Sequence, residues 1–489
     1  MKLKWLLSFF ILSQLLSAQT FVEVNPAPPF ESIFISSVAF ADIDGDNDQD
    51  VLITGGNTAG IGISKLYIND SLGNFTEVQA TPFEPVYLSS IAFADIDNDN
   101  DQDVLITGRS SSSDHTSKLY ANDGMGSFTE VMGTTFEGIA SGSVAFADVD
   151  SDNDLDVLIS GFRVPPGPTL VSKLYLNDGE GTFTEKADLF LEGVFLSSVA
   201  FADIDSDDDL DLLITGKANS DIKISQIYVN DGVGNYSELM GTTLESVDAG
   251  SVAFADIDGD NDQDLLLTGR DGSDLPTSKL YINDGGGNFT EIQGAPFEPV
   301  SESSIAFADV DNDDDLDVLL TGITGTEVPI SKLYINDGAG NFSELSGAAL
   351  DGVSSGSVAF ADVSSDGNLD VLITGKRGPG EGVISKLYIN EGVESSSTEY
   401  SKTETTFSFT VFPNPSTSPT LFLSCDSAEI NEVTISVYSI NGLLLRKQKE
   451  MATIGQQVFP VDVEFLPKGN YFIELDNGKG RGTIKFVVQ

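Results

Sequence analysis

The sequence predicts an all-β protein: a seven-bladed β-propeller closed by its own N-terminal strand, followed by a small β-sandwich. Three observations carry this expectation. An acidic loop of the type Asp42-Ile-Asp-Gly-Asp-Asn-Asp-Gln-Asp50 recurs seven times. Its lead aspartates, Asp42, Asp95, Asp148, Asp203, Asp256, Asp309 and Asp362, stand 53, 53, 55, 53, 53 and 53 residues apart, so one supersecondary unit is copied along the chain. Each copy contains strand-like pieces and the last copy lacks one, while an orphan of that piece stands near the N-terminus.

The second repeat shows the pieces most clearly: Ser89–Ala94, Asp103–Thr107, Lys118–Asn122 and Ser127–Val131. Between the last two lies Asn122-Asp-Gly-Met-Gly126, rich in residues that tolerate positive φ. Four short strands per ~50 residues fit a propeller blade and argue against a helical solenoid. The innermost strand alternates small Ser37, Ala39 and Ala41 with Val38 and Phe40, as crowding near an axis requires. Repeat 7 has strands at Asp370–Thr374 and Lys386–Asn390 but no fourth piece. Thr20-Phe-Val-Glu-Val24 is the copy that would complete its sheet and remove an exposed edge.

At 489 residues with 40% apolar content, the chain is long enough for several packed units. Its formal charge is −53, from 77 acids against 24 bases, and 35 of those acids lie in the seven loops. Charge this concentrated is not a disordered acidic tail, and it repels nucleic acid and anionic lipid. The sole cysteine, Cys425, excludes an internal disulfide.

Carboxylates at alternate positions of a tight turn suit a hard cation, calcium above all. Positions 1, 3, 5 and 9 of each loop are expected to aim carboxylates at one centre, position 7 to offer its carbonyl, and a small residue at position 6 to allow the bend. The candidate ligands at positions 1, 3, 5, 7 and 9 are Asp42, Asp44, Asp46, Asp48 and Asp50; Asp95, Asp97, Asp99, Asp101 and Asp103; Asp148, Asp150, Asp152, Asp154 and Asp156; Asp203, Asp205, Asp207, Asp209 and Asp211; Asp256, Asp258, Asp260, Asp262 and Asp264; Asp309, Asp311, Asp313, Asp315 and Asp317; and Asp362, Ser364, Asp366, Asn368 and Asp370. About seven Ca2+ are expected, one per loop, with the last loop weakest because Ser364 and Asn368 replace aspartates. Without a cation, each close pair of carboxylates costs about 1 kcal/mol even in water. EF-hands share the Asp-x-Asp-x-Asp start but need flanking helices and a Glu at position 12, which here is Ile53. The absence of His and Cys from the loops excludes zinc.

The loop after "VAFAD", followed by "LYIND-G-x-G-x-F", resembles the FG-GAP and VCBS repeats of integrin α-chain propellers and many bacterial surface proteins, from Thr20 to Glu391. The resemblance implies calcium on one face and ligands on the other; no motif here carries the family's ligand-binding residues. The C-terminal segments "VFPNP", "VYSINGLLL", "LPKGNYFIEL" and "KFVVQ" resemble the sorting domain of the Bacteroidetes type IX secretion system. That implies export across the outer membrane through the type IX machinery, then release or surface attachment.

The N-terminus reads as a signal peptide: Lys2 and Lys4, an apolar Trp5–Leu16, and cleavage after Ala18. No other stretch reaches the ~18 apolar residues of a spanning helix. The expected organisation is a signal peptide at 1–18, propeller at 19–392, linker at 393–406 and sorting domain at 407–489. Within the last, Glu432–Ser439, Gln457–Val463, Asn470–Leu475 and Ile484–Gln489 read as β segments, with a hairpin turn at Asn441-Gly442.

Loops between the second and third strands, such as Gly108–Ser117 and Gly161–Val171, vary in length and chemistry while the metal loops hardly do. Variable loops on a rigid scaffold are where recognition lives. Tyr87, Phe162 with Arg163, and Phe195 are candidates for sugar or peptide contacts. A repeated acid (Glu31, Glu84, Glu137, Glu192, Glu245, Glu298, Asp351) either rings the channel mouth or caps each repeat. The repeated Lys65, Lys118, Lys173, Lys279, Lys332 and Lys386 read as strand-edge charges. Catalysis has little support: the only histidine, His115, lacks a nucleophile context. The reading is a monomeric, exported binding or adhesion module for an extracellular glycan or protein. The alternative is a polysaccharide hydrolase or lyase.

Overall fold

The computed structural model describes residues 19–25, 27–110, 114–164, 169–393, 409–412, 420–427, 431–439, 444–452, 455–463, 466–476 and 481–488. The expected signal peptide and most of the expected linker fall outside these. The chain forms two compact units, Met1–Ser395 and Ser396–Gln489. The described residues are all-β, with one 3-10 turn at Asn219–Asp221.

In the first unit each repeat is an antiparallel meander. Repeat 2 runs Val86–Ala94, Asp103–Ser110, His115–Ala121 and Thr129–Glu130, each strand paired to the next. The fourth strand has two residues, where the sequence suggested five. Asp123 explains the difference: its Oδ1 accepts from the N–H groups of Met125 and Ser127 at 3.0 and 3.1 Å, so the turn absorbs the start of the expected strand. The second strand is the buried one, and in repeat 1 all of Asp50–Gly56 is inaccessible. A short unbroken apolar run of this kind is what a strand covered on both faces requires.

Cores form between repeats. Leu52 and Leu66 of repeat 1 pack with Val104 and Tyr120 of repeat 2. The same arrangement recurs between successive repeats. One further cluster joins Val51 and Ile53 of repeat 1 to Leu372 and Leu387 of repeat 7. Each fully buried Leu or Val contributes about 1.5–3 kcal/mol, so neither face of a repeat is stable alone.

The N-terminal strand Gln19–Glu23 pairs antiparallel with Val383–Val393 of repeat 7, Glu23 opposite Tyr388. Repeat 1 places Glu77 opposite Tyr67 in the same way. The ion pair repeats too: Lys386 to Glu23 at 2.8 Å, Lys65 to Glu77 at 3.1 Å. Phe21 is 4% exposed, within the core of repeats 6 and 7.

The second unit has two sheets. Phe409–Phe412, Thr420–Ser427 and Gly455–Asp462 form one; Leu444–Ala452, Asn431–Ser439, Gly469–Asp476 and Arg481–Val488 form the other. Leu421, Leu423 and Val461 of the first share a core with Val433, Ile435, Ile473 and Phe486 of the second. The strands flanking the expected Asn441-Gly442 turn pair antiparallel; the turn itself is outside the described residues.

Candidate metal centres

The seven acidic loops share one hydrogen-bond pattern, except that the first donor to the lead Asp is the position-4 N–H in repeats 1 and 5 and the position-5 N–H in the others. In repeat 1, Asp42 accepts from Gly45 N–H at 2.9 Å and Asn47 N–H at 3.0 Å, and Asp46 accepts from Asp48 N–H at 3.0 Å. Asp50 accepts from Ile43 N–H at 3.1 Å through one oxygen and from Asn69 N–H at 2.8 Å through the other. Loop 7 repeats this on Asp362, Asp366 and Asp370 despite its two substitutions. The bend needs two left-handed residues. Position 6 is Asn, Asp or Gly throughout (φ 68° at Asn47, 86° at Gly367), and position 4 is Gly, Asn or Ser (φ 78° at Gly45, 61° at Asn98). Sequence reading found the first of these and missed the second, although Gly45, Gly259, Asn98 and Asn312 marked it.

The carboxylates converge. Oxygens of Asp42, Asp44 and Asp50 lie within 4.8 Å of one another, as do those of Asp95, Asp97 and Asp99; Asp148, Asp150 and Asp156; Asp203, Asp205 and Asp211; and Asp256, Asp258 and Asp260. Position 3 is the informative member. Oδ1 of Asp44, Asp150, Asp205, Asp258 and Asp311, and Oγ of Ser364, are buried with no hydrogen-bond partner among the described residues. A buried acceptor without a donor costs about 1–3 kcal/mol. Acceptors of this type inside a carboxylate cluster fit a divalent cation bound through oxygen.

Electrostatics points the same way. Burial first, then repulsion from neighbouring aspartates, holds Asp44, Asp97, Asp150, Asp205 and Asp258 above the ordinary carboxylate range. Burial pushes Asp50, Asp156 and Asp317 up to about 7, against the two N–H donors each receives. Asp103, Asp211, Asp264 and Asp370 rise to about 6 for the same reason. A nearby cation would lower them all.

Position 7 has a second role in its side chain. A Cβ added to Gly124 would stand 2.5 Å from the Asp101 carboxylate, and Gly179, Gly232, Gly285 and Gly338 meet Asp154, Asp209, Asp262 and Asp315 in the same way. In repeat 1 Ser71 replaces this glycine and donates to Asp48 at 2.9 Å. Each turn also reaches the preceding repeat's loop. Asn122 Nδ2 donates to Ile43 O at 2.8 Å, and Asn69 Nδ2 donates to Val363 O of repeat 7 at 2.9 Å. The acidic loops are thus tied to the contacts between repeats.

At the opposite ends of the strands, a cavity of about 360 Å3 is lined by residues at or just before the first strand of every repeat, including Ile35, Leu88, Ser141, Leu196, Ala249, Glu302 and Ser355. All seven of these residues have φ between 42° and 52°. The repeated acids expected as one option at a channel mouth do not line this cavity. Glu31, Glu84 and Glu137 pair with Lys65, Lys118 and Lys173, and their backbone N–H groups donate to Tyr67, Tyr120 and Tyr175 hydroxyls at 3.0, 2.9 and 3.1 Å. They clamp successive strands. His115 places Nδ1 2.8 Å from Phe162 O, which packs it against the second strand of repeat 3.

The sequence matches the FG-GAP-like repeat family at residues 42–106, 102–159 and 256–320, and the secretion system C-terminal sorting domain at 410–489. The chain therefore carries FG-GAP-like repeats and a type IX sorting domain, and that domain indicates secretion with attachment at the outer-membrane surface. No curated protein matches it. Among solved structures, a variant of the Aleuria aurantia lectin in complex with alpha-methyl-L-fucoside is similar at 11% identity, covering 64% of this chain and 96% of that one, with a TM-score of 0.38. AofleA from Arthrobotrys oligospora is similar at 10% identity, covering 77% and 89%, with a TM-score of 0.35. Dimeric latent PorU from Porphyromonas gingivalis is similar at 12% identity, covering 75% and 36%, with a TM-score of 0.15. At these scores the likeness does not define a shared fold.

Proposed function

We propose that the exported protein is a seven-bladed propeller, closed by its N-terminal strand and held by calcium, that binds an extracellular glycan or protein. An open row of seven repeats has six interfaces, whereas a seventh core joins repeat 7 to repeat 1, and bonds such as Asn69 to Val363 repeat across that seam. Both support closure. Bound calcium would supply the positive charge that lets the loop carboxylates converge. Asp44 and its counterparts would turn their donorless oxygens to it, while Asp42 and Asp50 keep the loop shaped through backbone N–H groups.

The observation that carries the binding reading is the contrast between strand ends. Seven loops keep one geometry at one end. At the other, the cross-strand pair beside the central cavity changes from Tyr87–Arg109 to Asp248–Arg270 to Ser301–Ile323. The test is a glycan and peptide array probed with the mature chain from Gln19, with calcium and with chelator, alongside turnover assays on polysaccharides. Saturable, calcium-dependent binding without turnover is expected. Turnover would instead mark a hydrolase or lyase. Self-assembly in calcium with no ligand would mark a structural surface component.

A further inference from the structure

The face opposite the metal loops departs from sevenfold repetition in one arc. At the cross-strand position beside the cavity, repeats 1 to 4 carry an aromatic residue: Phe34, Tyr87, Phe162 and Phe195. Repeats 5 to 7 carry Asp248–Arg270, Ser301–Ile323 and Ser354–Lys376. Tyr87, Phe162 and Phe195 are half-buried, and Arg109 and His115 lie between the first two. The Arg109 guanidinium lies 5.8 Å from the Tyr87 ring centre, and Arg109 is the cross-strand partner of His115. His115 is 5.5 Å from Phe162, and Phe162 is 6.2 Å from Phe195.

Arg109 decides the chemistry. Four arginines stand in the repeats. Arg163, Arg270 and Arg377 are paired with Glu137, Asp248 and Asp351. Arg109 has no carboxylate partner among the described residues, and its Nε is buried without an acceptor. In a chain with 77 acids and 24 bases, an arginine left without a carboxylate has a fork of donors open to an incoming anion. The ring it stacks on fixes its plane, and the neighbouring rings offer apolar faces.

Resting on the binding reading above, we propose that this arc binds an acidic polysaccharide. Arg109 receives a carboxylate or sulfate of the ligand, and Tyr87, Phe162 and Phe195 pack against sugar rings. Anion recognition and apolar ring stacking on one strip favour a charged glycan over a neutral one. The acids that dominate the rest of the surface keep the strip's electrostatic attraction local.

The experiment is calorimetric titration of the calcium-loaded mature chain with a polyuronate, a sulfated dextran, neutral dextran and polyglutamate as an acidic peptide. Binding to one or both anionic polymers is expected, with the two arms identifying the anion, and none to neutral dextran. Arg109→Gln should weaken binding about tenfold or more, Arg109→Lys should recover part of it, and Phe195→Ala should weaken it with the anion contact intact. Lys376→Gln, at the equivalent position of repeat 7, should leave affinity unchanged. Unfolding temperatures in calcium check that each variant is folded. Wild-type affinity in a folded Arg109→Gln variant, equal binding of neutral dextran, or binding of an acidic peptide but no polysaccharide would each overturn the proposal while leaving a binding module. Failure of the wild type to bind any polymer or peptide would remove the binding reading as well.

Discussion

The two ends of the strands obey different rules. At the acidic-loop end seven copies hold nearly the same bonds, and even Ser364 and Asn368 leave them in place. At the cavity end the backbone repeats, with seven left-handed residues at one position, but the side chains range from Leu88 to Glu302. Such backbone costs a residue with a Cβ about 1–2 kcal/mol, and glycine would avoid it. Repetition therefore marks what every repeat needs in order to stand, and on the binding reading proposed above divergence marks the face that meets a ligand.

The largest test of that contrast is calcium removal. If each loop binds with a Kd near 10⁻⁴–10⁻³ M, millimolar calcium adds about 0.4–1.4 kcal/mol per site. Calorimetry in 1 mM calcium against excess chelator should show a fall in Tm of about 5–10 °C. An unchanged Tm would mean that the shared geometry serves no ion.

The seam comes next. Phe21→Ala should destabilise by about 3–5 kcal/mol in denaturant unfolding. Val22→Ala, at a side chain 41% exposed, should stay within about 0.5 kcal/mol. Equal effects would mean that the N-terminal strand is not packed as described.

Single loops give a smaller effect. Asp258→Ala should lower the number of calcium ions bound per chain by one and cost about 1 kcal/mol in calcium. Ser364→Asp should tighten the weakest site. Unchanged stoichiometry in the Asp258 variant would mean that its donorless oxygen is not a ligand.

Smallest is the pH response of the opposite face. Burial raises Glu137, but Arg163 and Lys173 outweigh it and hold the carboxyl below its ordinary 4.5. In Asp351 burial is likewise outweighed, by Lys386 and Arg377, and the group lies below 3.8. A carboxylate depressed by folding stabilises above its ordinary value, and that contribution is lost as pH falls through the lower folded value. The contribution of these two groups should therefore decline below about pH 4.5, by less than about 1 kcal/mol per group because both pairs are partly solvated. Glu137→Gln should flatten its share of the decline; identical pH profiles for the variant and the wild type would contradict it.

Much of this was legible in sequence because copies can be compared within one chain. The strand at Asp103–Thr107, which the structure extends to Ser110, the orphan segment at Thr20–Val24 and every loop aspartate followed from period and composition. What was not legible depends on three-dimensional neighbours. The shortness of the fourth strand follows from Asp123 capturing two N–H groups. Asp50 bonds Asn69 across 19 residues, and no local pattern says so. Arg109 is notable only because its three counterparts found acids, a fact about distances. Tyr87, Phe162 and Phe195 stood out as single aromatics, and only pairing registers made them a band.

The N-terminal strand has a consequence in time. Gln19 and Asn390 meet although 371 positions separate them, so a strand that precedes the first repeat finds its partners in the last. Contacts so distant in sequence form slowly. Until they form, Val383–Val393 shows an unpaired edge to the surroundings. A chain destined for export thus stays unfinished for as long as its two ends are kept apart.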